Sequence, residues 1–290
     1  MLGEDRPTTN QPEQEAGNAD ALDQALSDPT ILSGSSLNTW NECPKAWKYT
    51  YLWRLERPPS YKMALGTAAH YAVEMAMKWR LANGEYPPPE AWFDSFEVSW
   101  LDEIKNSKPQ NDKPEESADS HYESGIRCIT FYAAKIAPTI IPFAVEMPIS
   151  FTINGWVWTG TADLLEAVDG DPKRIRLRDH KFTSKRPDKP QRYRWPMIGY
   201  AIGLRKELDV IEEDVQLDYV IRNKTPIHFP VSNGGPFTDQ DILDLAQEIE
   251  NTMTAINRGS FPPLGRDTGA CNWCQHWSIC DDYKGNKKKE

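Results

Sequence analysis

The stretch WVWTGTADLLEAVDGDPKRIRLRDHKF, residues 156–182, decides how the rest of the chain is interpreted. Apolar and polar residues alternate on both sides of a turn at 169–172, which predicts two strands joined by that turn. Asp163 lies on the first strand, and Asp179 and Lys181 lie on the second. Because side chains two positions apart share one face of a strand, Asp179 and Lys181 are expected to face one site. His180 then faces away and leaves its carbonyl available.

Two carboxylates and a carbonyl are oxygen ligands that suit a hard cation such as Mg²⁺ or Mn²⁺. A cation held there would lower the pKa of a bound water and neutralise developing phosphate charge. Lys181 would orient that water or stabilise the transition state. The pattern Asp-x-Lys is common and also describes an exposed polar strand face. The preceding strand with its Gly160-x-x-Asp163 motif, the turn and the helix that follows favour a metal-dependent phosphodiesterase site.

The elements around this stretch are predicted from the same periodicities. Strands are expected at 144–153, 156–167, 174–182 and 215–222, with Gly155 in a hairpin turn. Helices are expected at 65–81, 125–137, 195–208 and 238–258, the last capped by Thr238, and another helix begins with Ser35 or Ser36 as its N-cap. Residues 104–121 are charged and lack periodicity, which predicts a loop. His70 and Glu74 are four apart on one helix face, so His70 is a further metal ligand, a phosphate contact or the partner of Glu74.

Four of the five cysteines are divided between the two ends of the chain. Cys43 stands alone, and Cys271, Cys274 and Cys280 form a C-x2-C-x5-C cluster. Four thiolates can hold Zn²⁺ or an iron–sulfur cluster, and His276 is a competing ligand. Cys128 lies among apolar residues and is predicted to be a small core residue.

The charge of the chain is unevenly distributed. Residues 1–30 carry seven acids and one base, whereas residues 172–194 carry ten Lys or Arg and two Asp, within a total net charge of −10. The acidic, polar segment 1–30 is predicted to be disordered, and it is a candidate contact for a protein partner. The basic strip is expected to attract phosphate in spite of the net charge. No apolar run of about 18 residues and no signal core occur, so we expect a cytoplasmic protein, in a bacterial or phage-infected cell, with no membrane partner.

These residues resemble the RecB-type nucleases of the PD-(D/E)XK superfamily, in particular the iron–sulfur subgroup that includes CRISPR-associated, AddB-like and phage exonucleases. The similarity runs over about 33–283. It includes the segments 36–49, 66–70, 160–163 and 179–181, Phe261-Pro262 and the terminal cysteines. The family often has Gln four residues before a Tyr in the helix after the lysine; here Tyr200 is present, but Pro196 occupies the Gln position and Gln191 lies upstream.

The resemblance implies an α/β fold: a mixed central sheet flanked by helices, the restriction-endonuclease-like core, with an iron–sulfur cluster joining the N- and C-terminal segments. One nuclease domain would span 31–283, between an acidic tail at 1–30 and a basic tail at 284–290. The implied metal ligands are His70, Asp163, Asp179 and the His180 carbonyl, and Lys181 is the implied catalytic lysine. The implied ligands of a [4Fe–4S] cluster are Cys43, Cys271, Cys274 and Cys280.

The expected activity is that of a Mg²⁺- or Mn²⁺-dependent DNA exonuclease acting on single strands or duplex ends, in recombination, repair or phage DNA metabolism. Bases in 45–62 and 172–194 would contact phosphates, and aromatic side chains in 47–53 would stack on unpaired bases. The DNA contacts are predicted at Lys45, Lys48, Tyr49, Arg54, Lys185, Arg186 and Tyr200. Two alternatives are a non-catalytic DNA-binding module stabilised by zinc or a cluster, and a structural subunit recruited through the acidic tail.

Overall fold

A computed structural model describes residues 32–55, 60–105, 117–188, 193–272 and 274–283. The predicted tails at 1–30 and 284–290 and Gln191 lie outside the described residues, as does most of the predicted loop 104–121. The helices are α1 Gly34–Glu42, α2 Pro44–Trp47, α3 Tyr61–Asn83, α4 Pro89–Lys105, α5 Ala118–Lys135, α6 Arg194–Leu208 and α7 Asp239–Asn257. The strands are β1 Leu32–Ser33, β2 Pro142–Ile153, β3 Trp156–Ala167, β4 Ile175–Thr183, β5 Asp214–Ile221 and β6 Ile227–Ser232.

Local sequence explains where several elements begin and end. Helix α7 begins at the predicted cap Thr238, which exchanges hydrogen bonds with Asp241. The hairpin between β2 and β3 turns at Asn154-Gly155, both with positive φ, the conformation that this dipeptide favours. The predicted cap of α1 is wrong: Ser33 caps it, because its side chain accepts from the backbone of Ser36, whose hydroxyl accepts from Ser33 N in return.

The six strands form one mixed sheet. Strand β2 pairs antiparallel with β3 along its length, and β4 pairs antiparallel with β3 and parallel with β5. Strand β6 closes the far edge antiparallel to β5. Strand β1 pairs parallel with β3 at Trp158 and Thr159, on the edge opposite β2. The mixed α/β architecture expected from the resemblance is therefore confirmed.

Helices cover both faces of the sheet and create two apolar cores. Helices α1, α2, α6 and α7 enclose one core, with Trp158 and Leu177 at its centre. Helices α3, α4 and α5 enclose the other, which contains Cys128, fully buried as predicted. Because helices cover both faces of β4, its polar side chains lie in two separate enclosed environments, one on each side of the sheet. Within the described residues, no helix is long and apolar enough to cross a membrane.

Candidate active site

A fork in the sheet separates β3 from β4. Their pairing runs from Ala167–Ile175 to Leu164–Arg178 and stops there. Strand β1 occupies the same edge of β3 only at Trp158 and Thr159, so the motif Gly160–Asp163 fills the interval between β1 and β4. The next opposed positions, Asp163 and Asp179, lie where the strands separate. The fork therefore brings the two predicted carboxylates to one opening.

Asp163 links the fork to helix α3. Its Oδ2 accepts a hydrogen bond from the backbone N–H of His180, at 3.0 Å, in place of a ladder bond. The same oxygen lies 3.4 Å from Nδ1 of His70. His70 therefore contacts a predicted metal ligand, whereas Glu74 pairs with Lys78 at 2.5 Å. The structure therefore contradicts the alternative in which His70 pairs with Glu74.

Asp179 and Lys181 share the α6 face of β4, as the period of two predicts. Lys181 Nζ lies 2.6 Å from Asp179 Oδ2, and it also lies 5.0 Å from the ring centre of Tyr193. Burial opposes the charge of Lys181, but Asp179 and Asp163 raise its pKa above the ordinary value, so the lysine is cationic. Burial and then Asp163 raise the pKa of Asp179, in spite of the nearby Lys181.

The side chain of His180 faces the opposite side of the sheet. Its Nε2 lies 2.7 Å from the hydroxyl of Tyr132 in α5, and both groups are buried. Burial lowers the pKa of His180 to about 3, so the ring is neutral at physiological pH. The backbone of His180 borders the fork, which is consistent with a contribution through its carbonyl.

Glu146 is a further acidic residue that the sequence interpretation missed. It lies on β2 between Val145 and Met147, which pair with Leu164 and Ala162, so it stands opposite Asp163. Its φ of 51° departs from the extended strand, an irregularity of the kind that redirects side chains at functional sites. Burial, followed by the charges of Asp163 and Glu74, raises the pKa of Glu146 to about 7. The sequence feature that could have indicated Glu146 is its position as a single acid in the mostly apolar run FAVEMPISF, residues 143–151.

Tyr200 reaches the fork from α6. A Cβ at Gly160 would lie 2.8 Å from Cε1 of Tyr200, so the glycine permits this close approach. Burial and then the two carboxylates, Asp179 first, raise the pKa of the Tyr200 hydroxyl, which keeps it neutral. Pro196, one turn earlier, is buried against Gly34, so this position serves packing and does not present a polar group to the site.

The basic residues predicted to contact DNA occupy different settings. Lys185 is largely exposed and pairs with Asp188, and the guanidinium of Arg186 lies 4.6 Å from the ring centre of Phe229 in β6. Lys48 lies 4.4 Å from the ring centre of Trp53. These placements leave the predicted phosphate contacts untested.

Tyr49 and Lys45 belong to a different part of the molecule from the fork. Tyr49 is 5% exposed and packs against the ring of His276 at 5.4 Å, so it has no free face on which a base could stack. Trp47 is also buried. Lys45 pairs with Asp282. The stacking role predicted for Tyr49 is therefore wrong in this structure, because its ring is enclosed by C-terminal residues.

Tyr49 and Lys45 line a cavity with an empty volume of about 440 Å³, its opening to solvent included. All four predicted cluster ligands line it too: Cys43, Cys271, Cys274 and Cys280. Burial and the neighbouring thiols Cys43 and Cys280 raise the pKa of Cys271. His276 does not line the cavity, and its Nε2 lies 3.2 Å from Thr50 Oγ1.

Two observations test whether these residues fit a metal group. A Cβ at Gly265 would lie 2.9 Å from the sulfur of Cys271 and 3.5 Å from that of Cys43. Only a residue without a side chain can therefore lie next to both sulfurs. At the fork, the buried Asp179 Oδ2 has no partner with hydrogen-bond geometry. The donors thus fit thiolate ligation at the cavity and oxygen ligation at the fork. As the described side chains stand, no three His, Cys, Asp or Glu close around a single ion.

The fork brings two aspartates and a lysine together on a mixed α/β fold. The sequence profile of the PD-(D/E)XK nuclease superfamily matches residues 31–281, and the chain belongs to this superfamily. No curated protein matches the sequence significantly.

Solved structures also match this chain. A crystal structure from Eubacterium rectale described as "Putative exonuclease" has a TM-score of 0.55 and 11% identity, covering 99% of this chain and 96% of that one. A protein called SSO0001 has a TM-score of 0.44 and 13% identity, covering 94% of this chain and 97% of that one. At these identities the first likeness supports the fold alone.

Proposed function

We propose that this superfamily member is a Mg²⁺- or Mn²⁺-dependent exonuclease that hydrolyses phosphodiester bonds in single-stranded DNA or at duplex ends, in recombination, repair or phage DNA metabolism. The observation that carries the proposal is the convergence of His70, Asp163, Asp179 and Lys181 at the fork. A DNA-binding module without turnover has no need of a partly buried lysine beside two carboxylates.

His70, Asp163, Asp179 and the carbonyl of His180 would hold the cation, and Glu146 adds a third carboxylate beside Asp163. A divalent cation there supplies Lewis acidity and a more acidic water. Lys181, kept charged by the two aspartates, stabilises negative charge that develops on the phosphate. The neutral Tyr200 hydroxyl would orient a water or a phosphate oxygen, because its ring packs against Gly160, three residues before Asp163 on β3.

The test is digestion of end-labelled single strands, labelled separately at the 5′ and 3′ ends, with Mg²⁺ or Mn²⁺. We expect Lys181→Ala and Asp179→Ala each to lower the cleavage rate by about 10²–10³-fold, the range for loss of one preorganised electrostatic contact. Asp188→Ala, which removes an exposed acid outside the proposed ligand set, is the matched control. Wild-type rates for Lys181→Ala and Asp179→Ala with both metals would refute the assignment.

We further propose that Cys43, Cys271, Cys274 and Cys280 hold a [4Fe–4S] cluster with a structural role. The cavity that all four line supports this, as do contacts between chain ends, such as the hydrogen bond from Thr268 Oγ1 to Glu42 O at 2.7 Å. Tying Cys43 to Cys271 closes a very long loop, which restricts the unfolded chain by about 5 kcal/mol on the relation used for cross-links.

Protein purified without oxygen should be brown and contain iron and acid-labile sulfide in equal amounts. Replacing any of the four by Ser should lower iron content and thermal stability together. Cys128→Ser, which alters a buried thiol in the other core, should keep the iron. Colourless protein containing zinc would refute the cluster, and iron loss confined to Cys128→Ser would refute the ligand set.

A further inference from the structure

A groove lies on the α6 side of the sheet, next to Lys181 and separate from the cysteine cavity. Its apolar floor is formed by Met197 of α6, Val215 and Leu217 of β5, and Val231 of β6. Its empty volume is about 640 Å³, mouth included. A mostly apolar lining with a few polar groups at the rim is typical of small-molecule sites.

The groove is aligned with the fork through the strand register. Asp179 pairs with Leu217, and Leu217 pairs with Val231, so the three side chains form one row across the same face. Neighbouring strands lie about 4.8 Å apart, which puts Val231 about 10 Å from Asp179. A ligand in the groove is therefore close to any phosphate bound at Asp179.

An aromatic ring separates the groove from the catalytic lysine. Tyr193 lines the groove, and the same ring lies 5.0 Å from Lys181 Nζ. On the adjacent row of the sheet, Arg186 covers Phe229, which pairs with Tyr219 next to Lys181. A cation thus flanks the groove on the side where a nucleic-acid backbone leaving the fork would run.

The polar rim is held in place before any ligand binds. Asp214 accepts hydrogen bonds from the Ser232 hydroxyl at 2.8 Å and from the backbone N–H groups of Gly234 and Gly235. Asn233 donates from Nδ2 to the Gly235 carbonyl at 2.9 Å, which fixes its amide at the rim. A fixed rim above an apolar floor favours a flat, rigid ligand with polar edges.

We propose that this groove binds the unpaired nucleobase of a nucleotide next to the scissile phosphate, stacked against Tyr193. The inference rests on the proposed nuclease function and specifies its substrate: a base can enter the groove only when it is unpaired, so the enzyme selects single-stranded ends. Aromatic stacking tolerates any base, so the groove distinguishes single strands from duplexes but does not distinguish one base from another.

The first experiment needs no variant. A series of single strands, each with one abasic site at successive positions from the labelled end, is digested by wild-type protein. One position should lower kcat/KM by about tenfold, which falls within the range for loss of one base–aromatic stack. Cleavage of every strand at the same rate would overturn the groove proposal and leave the nuclease assignment intact. Failure to cleave even the unmodified strand would overturn both.

The second experiment tests the location. Val231→Phe fills the groove, whereas Ile227→Phe adds the same ring to the same face of β6 four residues earlier and outside the groove. A strand with 2-aminopurine at the sensitive position is titrated in EDTA, so that binding is read without turnover. Wild type and Ile227→Phe should quench its fluorescence, and Val231→Phe should not. Equal quenching by all three proteins would place the base elsewhere.

Discussion

The two faces of strand β4 carry charged groups that differ in how completely they are paired. On the face toward α5, Arg178 donates to Glu166 and Asp218 at 2.7 Å each, and all three side chains are buried. On the face toward α6, Lys181 is the nearby cation for both Asp179 and Asp163, and the buried Oδ2 of Asp179 contacts Lys181 Nζ at 2.6 Å without hydrogen-bond geometry. Both faces bury charge, but only the first completes its hydrogen bonds.

The pKa values of two neighbouring aspartates express this difference. Burial alone would raise the pKa of Asp218, but the hydrogen bond from His228 and the charge of Arg178 hold it well below the ordinary value. Burial raises the pKa of Asp179, and Asp163 raises it further. A network that is complete without a ligand stabilises the sheet, whereas one that is incomplete leaves ligand positions for a cation.

The largest effect is expected from breaking the complete network. Arg178→Met removes the partner of two buried carboxylates and should lower the free energy of unfolding by about 3–5 kcal/mol, the usual cost of an uncompensated buried charge. Urea unfolding measures it. Arg174→Met is the matched control, because Arg174 pairs with Glu213 and Asp169 at the surface and its loss should change little. Similar losses for both variants would contradict the contrast between buried and exposed pairs.

A smaller effect is expected from the incomplete network, and it depends on metal. Adding Mn²⁺ at a hundred times its dissociation constant should stabilise the wild-type protein by about 2.7 kcal/mol relative to metal-free buffer. Asp163→Asn should lose this increment, because it removes a ligand, while Asp188→Asn should retain it. Thermal unfolding with and without Mn²⁺ provides the measurement, and each variant is compared with itself. An increment retained by Asp163→Asn would exclude Asp163 as a ligand.

The sequence predicted which face of β4 each side chain occupies. It did not predict which partners complete the hydrogen bonds on each face. The period of two correctly assigned Asp179 and Lys181 to one face and His180 to the other. The partners Glu166 and Asp218 come from β3 and β5, so their convergence on Arg178 depends on register between strands. Glu146 was missed for a related reason, because its irregular φ is invisible in a single strand pattern.

The elements themselves were largely predictable, and the errors occurred where tertiary contacts decide. The strands and helices around the fork follow from strong periodicity and caps. Strand β6 and helix α4 were not predicted; β6 carries Pro230, which suits its place at the sheet edge. Tyr49 was expected to face DNA because aromatic and basic residues alternate around it, but the C-terminal segment that covers it is more than 200 residues away.

The smallest predicted effect concerns the connection between the two faces. Tyr132→Phe removes the 2.7 Å contact between the Tyr132 hydroxyl and Nε2 of His180. The backbone N–H of His180 in turn holds Asp163 at the fork. We expect a loss of about 1 kcal/mol in stability and, because the fork loses support, a roughly fivefold lower cleavage rate. Tyr86→Phe is the matched control: its hydroxyl donates to the carbonyls of Ala137 and Ile140, which lie outside β4. Tyr86→Phe should lose similar stability with an unchanged rate, as measured by unfolding and single-turnover cleavage. If both variants cleave at the same rate, the fork is positioned by the strands alone and the two faces of β4 are independent.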